Sequence, residues 1–321
     1  MDTKLIFIHR GYSDHLHYTL RQAVASNPET EVVLIGDADN AIFDMISHVD
    51  MSDFQSGAAE FAQVYKHMSH NNYDFELICF QRWFILEEYM RKHGLDEAFT
   101  FDSDVMIYSD LREYAAMLSF AGCNGIASLP RGSLAPHVIY WRLETLSRFT
   151  AFLLESYTNG NSPIMEKYER KWRIHVEQRQ AGGVCDMTAL LLFYEAGGMT
   201  PYVNLLDEAC GGVFDHNINV AENLKPEEFA MVRGKKHIAW RDGVPCGLRV
   251  GGCDYLPFHA LHFQGHAKLL LDNYYRGGDF PVRASLLNTA ARRRLKGRLR
   301  RMAAYFVKLI CGKDPGQLYF P

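Results

Sequence analysis

Two short apolar runs near the start of the chain, Lys4–Ile8 (KLIFI) and Glu31–Ile35 (EVVLI), constrain the fold more than any other feature. Neither alternates polar with apolar residues, so neither suits a sheet with one wet face. Runs of this kind belong to strands buried on both sides. Between them, His15–Ala25 has the length of a crossover helix. A strand, a helix and a second strand in that order close right-handed into a parallel sheet. The expected class is therefore α/β: an open, mostly parallel sheet flanked by helices, with functional residues just past the carboxyl ends of strands.

The rest of the chain extends that pattern. Gly57–Met68 and Phe75–His93 read as helices, the second stopping at Gly94. Ala98–Phe101, Asn124–Leu129 and Phe258–Phe263 read as strands, and Arg241-Asp242-Gly243 as a hairpin turn. Arg142–Tyr157, Ile164–Gln178 and Cys185–Ala196 have helical length and pattern, and form an expected helical insertion. No internal repeat or low-complexity linker interrupts the chain. The expected organisation is one domain over residues 1–282, followed by a basic amphipathic segment over 283–321.

Composition narrows the class further. The chain has 321 residues, 48% hydrophobic and 22% charged, enough to bury one large α/β core. Seven dispersed cysteines without a C-x-x-C pair argue against a disulfide framework or a zinc knuckle, and for reduced thiols. The opening apolar run is too short and wrongly flanked for a secretory signal. No apolar stretch approaches the ~20 residues that span a bilayer, so the expectation is a cytoplasmic protein. Net charge is −4, unevenly spread: residues 290–321 hold nine Lys/Arg and one Asp (+8), leaving −12 on the remainder. An acidic body speaks against nucleic acid as a partner. The run Arg292–Arg301, with seven Arg/Lys ahead of Tyr305-Phe306-Val307, suits an anionic membrane surface, a solvated helix or an RNA-binding tail.

Chemistry concentrates at two places. Asp102-Ser103-Asp104 follows an apolar strand directly, where a turn can bring two carboxylates to one cation. Hard cations such as Mg²⁺ and Mn²⁺ take oxygen ligands of this kind together with substrate phosphates. A turn using Asp for its own hydrogen bonds would look the same. Downstream, His262-Phe263-Gln264-Gly265-His266-Ala267-Lys268 offers a nitrogen ligand, a glycine that lets backbone approach a phosphate, and a point charge. Nitrogen beside two carboxylates shifts the preference from Mg²⁺ towards Mn²⁺.

An apolar strand, then D-x-D, then a late H-F-x-G-x-x-K segment resembles the GT-A glycosyltransferases of the glycogenin and lipooligosaccharide galactosyltransferase type, over roughly residues 1–275. The resemblance implies Asp102, Asp104 and His262 as metal ligands, with Gly265 and Lys268 on the diphosphate of a nucleotide-sugar, expected to be a UDP-sugar. It implies a donor-binding role for Arg82, otherwise a surface helix arginine, and a nucleoside site at His9, Arg10, Gly11 and Asp37, with Ser103 in the D-x-D turn. It further implies a glycan or glycolipid acceptor. Where the family carries an N-A-G segment, this chain has Ala135–Arg142, within which His137 and Trp141 are candidates for donor contact or for core packing. The lysine motif also lacks the usual proline-tryptophan pair. Gly182-Gly183 precede Asp186 at a helix start. They suggest backbone approach to a ligand, with Asp186 either in the sugar pocket, as hydroxyl ligand or base, or as a helix cap. A sugar-nucleotidyltransferase and a silent nucleotide-sugar-binding module are the alternatives.

Overall fold

The structure, a computed structural model, describes residues 3–252 and 254–279. Seven strands form the main sheet: β1 (Lys4–Ile8), β2 (Val32–Gly36), β3 (Ser47–Asp50), β4 (Glu97–Phe101), β6 (Asn124–Leu129), β7 (Ser133–Arg142) and β8 (Tyr202–Asn204). Their order is β3-β2-β1-β4-β7-β6-β8. β1 to β4 are mutually parallel, and β6 is parallel to β8, whereas β7 runs antiparallel between β4 and β6. This is the mostly parallel sheet flanked by helices that the apolar runs predict.

Alternation within β1 and β2 shows why their runs are apolar throughout. Ile6, Val33 and Ile35 enter one core cluster, with α2 (Ser56–Val64), α3 (Tyr73–Lys92), α5 (Leu143–Thr158) and α7 (Asp186–Glu195) over that face. Leu5, Phe7, Val32 and Leu34 enter the other, under α1 (Leu16–Ser26) and α4 (Arg112–Ala121). Each fully buried Leu, Ile or Val contributes roughly 1.5–3 kcal/mol, so a charge on either side of these strands would be costly. α3 starts where the Asn72 side chain accepts from the Asp74 and Phe75 amides, and basic Arg91 and Lys92 lie in its last turn. The helices expected near 142–198 are α5, α6 (Pro163–Glu177) and α7.

A second, antiparallel sheet sets the other half of the site. It orders β12 (Ile238–Arg241), β13 (Val244–Leu248), β14 (Tyr255–His262) and β5 (Val105–Ile107), with β9 (Val213–Phe214) parallel to β14. A small hairpin, β10 (Met231–Val232) and β11 (Lys235–Lys236), lies between β9 and β12 in the chain, and α8 (Leu271–Tyr274) follows β14. The hairpin turn at Asp242-Gly243 joins β12 to β13, both residues at positive φ. Residues 3–277 fall within one compact unit. The basic segment expected over 283–321 lies outside the described residues. Among the described residues no helix is long and apolar enough to cross a membrane, and Cys79, Cys123, Cys185, Cys210 and Cys246 are free thiols.

Candidate metal and donor site

The two sheets meet at Asp102-Ser103-Asp104. β4 ends at Phe101, the Val105 amide donates to the Asp102 carbonyl at 3.0 Å, and the chain enters β5. β5 pairs with β14 so that Val105 faces His262. The Phe263 amide then donates to the Asp104 carbonyl at 3.0 Å. A ladder register thus joins residues far apart in sequence, and ligand atoms of Asp102, Asp104 and His262 lie within 4.8 Å of one another.

The chemistry of this donor set fits a divalent cation. His262 donates from Nδ1 to the His216 carbonyl at 2.7 Å, leaving Nε2 towards Asp104 Oδ1 at 3.5 Å. An imidazole whose second nitrogen is held by a backbone carbonyl is the usual arrangement of a metal-binding histidine. Two carboxylates complete a mixed oxygen and nitrogen set.

Two cations border the cluster. Lys268 Nζ stands 3.1 Å from Asp104 Oδ2 and keeps 39% side-chain exposure. Arg82, on α3, reaches Asp102 at 2.5 Å through one terminal nitrogen and Asp186 at 2.7 Å through the other. Trp83 Nε1 also donates to Asp186, at 3.2 Å. Arg82, Trp83 and Asp102 line a small cleft with Ile8, Thr100, Phe101 and Pro136.

Protonation follows from these neighbours. Burial raises the Asp102 carboxyl above its ordinary value, against the pull of Arg82. Burial acts the same way on Asp104, but His262 and Lys268 outweigh it and hold that carboxyl well below the usual range. Burial would lower His262, yet the Asp104 partner raises it. Burial, followed by Lys268, lowers His9.

The remaining candidates take varied places. Asp37 links the loops after β1 and β2: it accepts from the Gly11 amide at 2.7 Å and, within its own loop, from the Asp39 amide at 3.2 Å. Arg10 is exposed. His9 Nε2 lies 3.2 Å from Ser13 Oγ, and Ser103 Oγ lies 3.0 Å from His15 Nε2. Gly265 adopts φ +60 with nothing within 4 Å of where a Cβ would project, so its backbone borders open space.

Four expectations change. Trp141 is fully buried, packed against Trp83 and Phe149 with no face open to a sugar, because α3, α5 and α7 cover that face of the sheet. His137 is 1% exposed. It stacks on His262 at 4.3 Å and 6° and donates from Nε2 to the Asp215 carbonyl at 2.8 Å, which places it behind the site. Gly183, at φ +155, serves backbone packing: a Cβ there would come within 2.3 Å of the Met68 carbonyl oxygen. Nor is Asp186 the cap of α7; Cys185 holds that position.

Sequence reasoning missed Asp215, His216 and Lys236. The signal present was an acid and a histidine directly after the apolar pair Val213-Phe214, the same arrangement as β4 with its D-x-D.

No protein-family profile and no curated protein matches the chain. Solved structures similar to it include mouse xyloside xylosyltransferase 1, at 12% identity over 64% of this chain and 86% of that one, TM-score 0.42. The PaToxG glycosyltransferase shares 11% identity over 61% and 70%, TM-score 0.36. The galactosyltransferase LgtC, solved with donor and acceptor sugar analogues, shares 15% over 60% and 70%, TM-score 0.36.

Proposed function

We propose that this chain is a glycosyltransferase that moves a sugar from a nucleotide-sugar, a UDP-sugar in our reading, to a glycan or glycolipid acceptor. One observation carries the reading: Asp102, Asp104 and His262 converge at a sheet junction, bordered by Lys268 and Arg82. Those three side chains would hold Mn²⁺ or Mg²⁺, and the cation would supply counter-charge for a departing diphosphate. Lys268, partly exposed, offers a second positive charge to the same group. The fork of Arg82 fixes Asp102 relative to Asp186. In this reading Asp186, only 6% exposed at its side chain and paired with Arg82, orients that arginine on the donor and accepts from sugar hydroxyls.

The test is a donor panel with Mn²⁺ and mixed acceptors, read by nucleoside diphosphate release. One donor should be turned over, and chelation should abolish the reaction. Asp104→Ala should lower turnover on the order of 10³-fold while preserving cooperative unfolding. Release of sugar 1-phosphate instead would mark a nucleotidyl transfer, and no release from any donor would refute the reading. For a glycolipid acceptor, the seven Arg/Lys of Arg292–Arg301 supply attraction to an anionic surface. Full-length protein should sediment with anionic vesicles at low salt, and a chain ending at Asn288 should not.

A further inference from the structure

Lys236 and Asp215 form an ion pair at 2.5 Å in which neither side chain has any solvent exposure. Taking both charges out of water costs several kcal/mol per ion before attraction offsets it, so such a pair is a poor device for stability alone. This one is fully hydrogen-bonded. The remaining ammonium hydrogens go to the carbonyls of Asn217 at 2.9 Å and Glu222 at 3.1 Å. The second Asp215 oxygen accepts from the His262 amide at 3.2 Å.

All of these bonds except the one to Glu222 engage one short stretch, residues 215–217. The Asp215 carbonyl receives His137 Nε2 and the next carbonyl, that of His216, receives His262 Nδ1. The two rings lie parallel at 4.3 Å. Shifting residues 215–217 would therefore move both acceptors together, and with them the plane and tautomer of His262.

The geometry points to Asp215 and Lys236 as the positioning pair that presents His262 Nε2 to Asp102 and Asp104. The inference rests on the proposed reading of those three residues as a cation site. It adds that the site is held from behind by a charge pair touching neither cation nor substrate. Loss of such outer support lowers metal affinity about 10- to 100-fold.

Removing one partner would strand a buried charge, so the informative variant is D215L/K236M, which replaces both by apolar side chains. Should it fail to fold, D215N/K236Q takes its place. Two readouts apply to full-length protein. Titration with Mn²⁺ alone should show affinity reduced about 10- to 100-fold. Nitrogen-15 NMR of labelled histidines without metal, at a pH where His262 is neutral, should show wild-type protein protonated at Nδ1. The variant should show loss or mixing of that tautomer. A folded variant with wild-type Mn²⁺ affinity and an unchanged His262 tautomer overturns the assignment. Absence of Mn²⁺ binding by wild-type protein would break the cation reading instead, and the tautomer comparison would still decide the positioning claim.

Discussion

Asp102 and Asp104 stand two residues apart yet flank different sheets, and their surroundings drive them in opposite directions. Asp102 closes the parallel sheet, keeps 28% side-chain exposure and shares its one arginine with Asp186. Burial lifts its carboxyl, and the proximity of Asp104 adds to the lift. Asp104 opens the antiparallel sheet beneath Lys268 and His262, and those partners hold it ionised against the same burial. A D-x-D tripeptide is thus two unlike carboxylates: one adjusted by helix α3, the other by strand β14 and the turn that follows it.

The comparison can be broken from the parallel side first. Arg82→Ala removes a cation from Asp102 and leaves Asp186 buried with only the Trp83 indole. Breaking a buried pair in this way costs about 3–5 kcal/mol, to be read as lowered denaturant midpoint with unchanged m-value. Arg82→Lys should recover only part of this, because one ammonium cannot form the planar fork to both acids. Wild-type stability in Arg82→Ala would mean the bridge has no structural weight.

From the antiparallel side, Lys268→Ala removes a partly exposed charge while His262 still faces Asp104, so stability should fall by less than in Arg82→Ala. Turnover and the specificity constant should fall together by about 10²-fold. A rise in KM alone would assign the lysine to ground-state binding. Asp186→Asn should cost less stability than Arg82→Ala, since the amide oxygen still accepts from Arg82 and Trp83. A fall in turnover without a matching fall in melting temperature would separate its chemical role from its bridging one.

The smallest effect sharpens the contrast by pH. Burial lowers His259 below its ordinary value and brings His216 down to about 4, both in or beside the second sheet. The unfolded chain takes up these protons near pH 6.5, whereas the folded chain does not. Their neutral burial is therefore free of cost above pH 6.5, and stability is lost as pH falls below it. The limiting slope is about 1.4 kcal/mol per pH unit for each histidine. His259→Gln should flatten the melting-temperature profile between pH 7 and 5, and an unchanged profile would remove His259 from the account.

How much was legible differs between the same two regions. β1, β2, α3 and β4 were readable because each is a local pattern: unbroken apolar runs, a helical period stopping at Gly94, a strand running into Asp102. The late strand and His262 were readable for the same reason. β7 was not, because Pro136 and His137 interrupt its apolar character, and its place between β4 and β6 comes from pairing distant in the chain. Asp215 carried a signal after Val213-Phe214, but its pairing with Lys236 lay beyond reach, because Lys236 lies in a two-residue strand whose periodicity is too short to read. Trp141 and the Gly182-Gly183 turn show residue type misleading in the opposite direction. An aromatic ring and a pair of glycines suit ligands and cores equally, and only the packing partners separate the two.

The Val105–His262 pairing has a consequence for how such a chain can change. A one-residue slip in that ladder would turn His262 to the opposite face of β14. Lengthening or trimming the loops between β5 and β14 leaves the pairing as it is. The ladder acts as a caliper: it sets the gap between Asp104 and His262 independently of how much chain is threaded between them. Variation can then accumulate in the intervening segments, altering what is admitted to the cleft, while the three converging side chains keep their spacing.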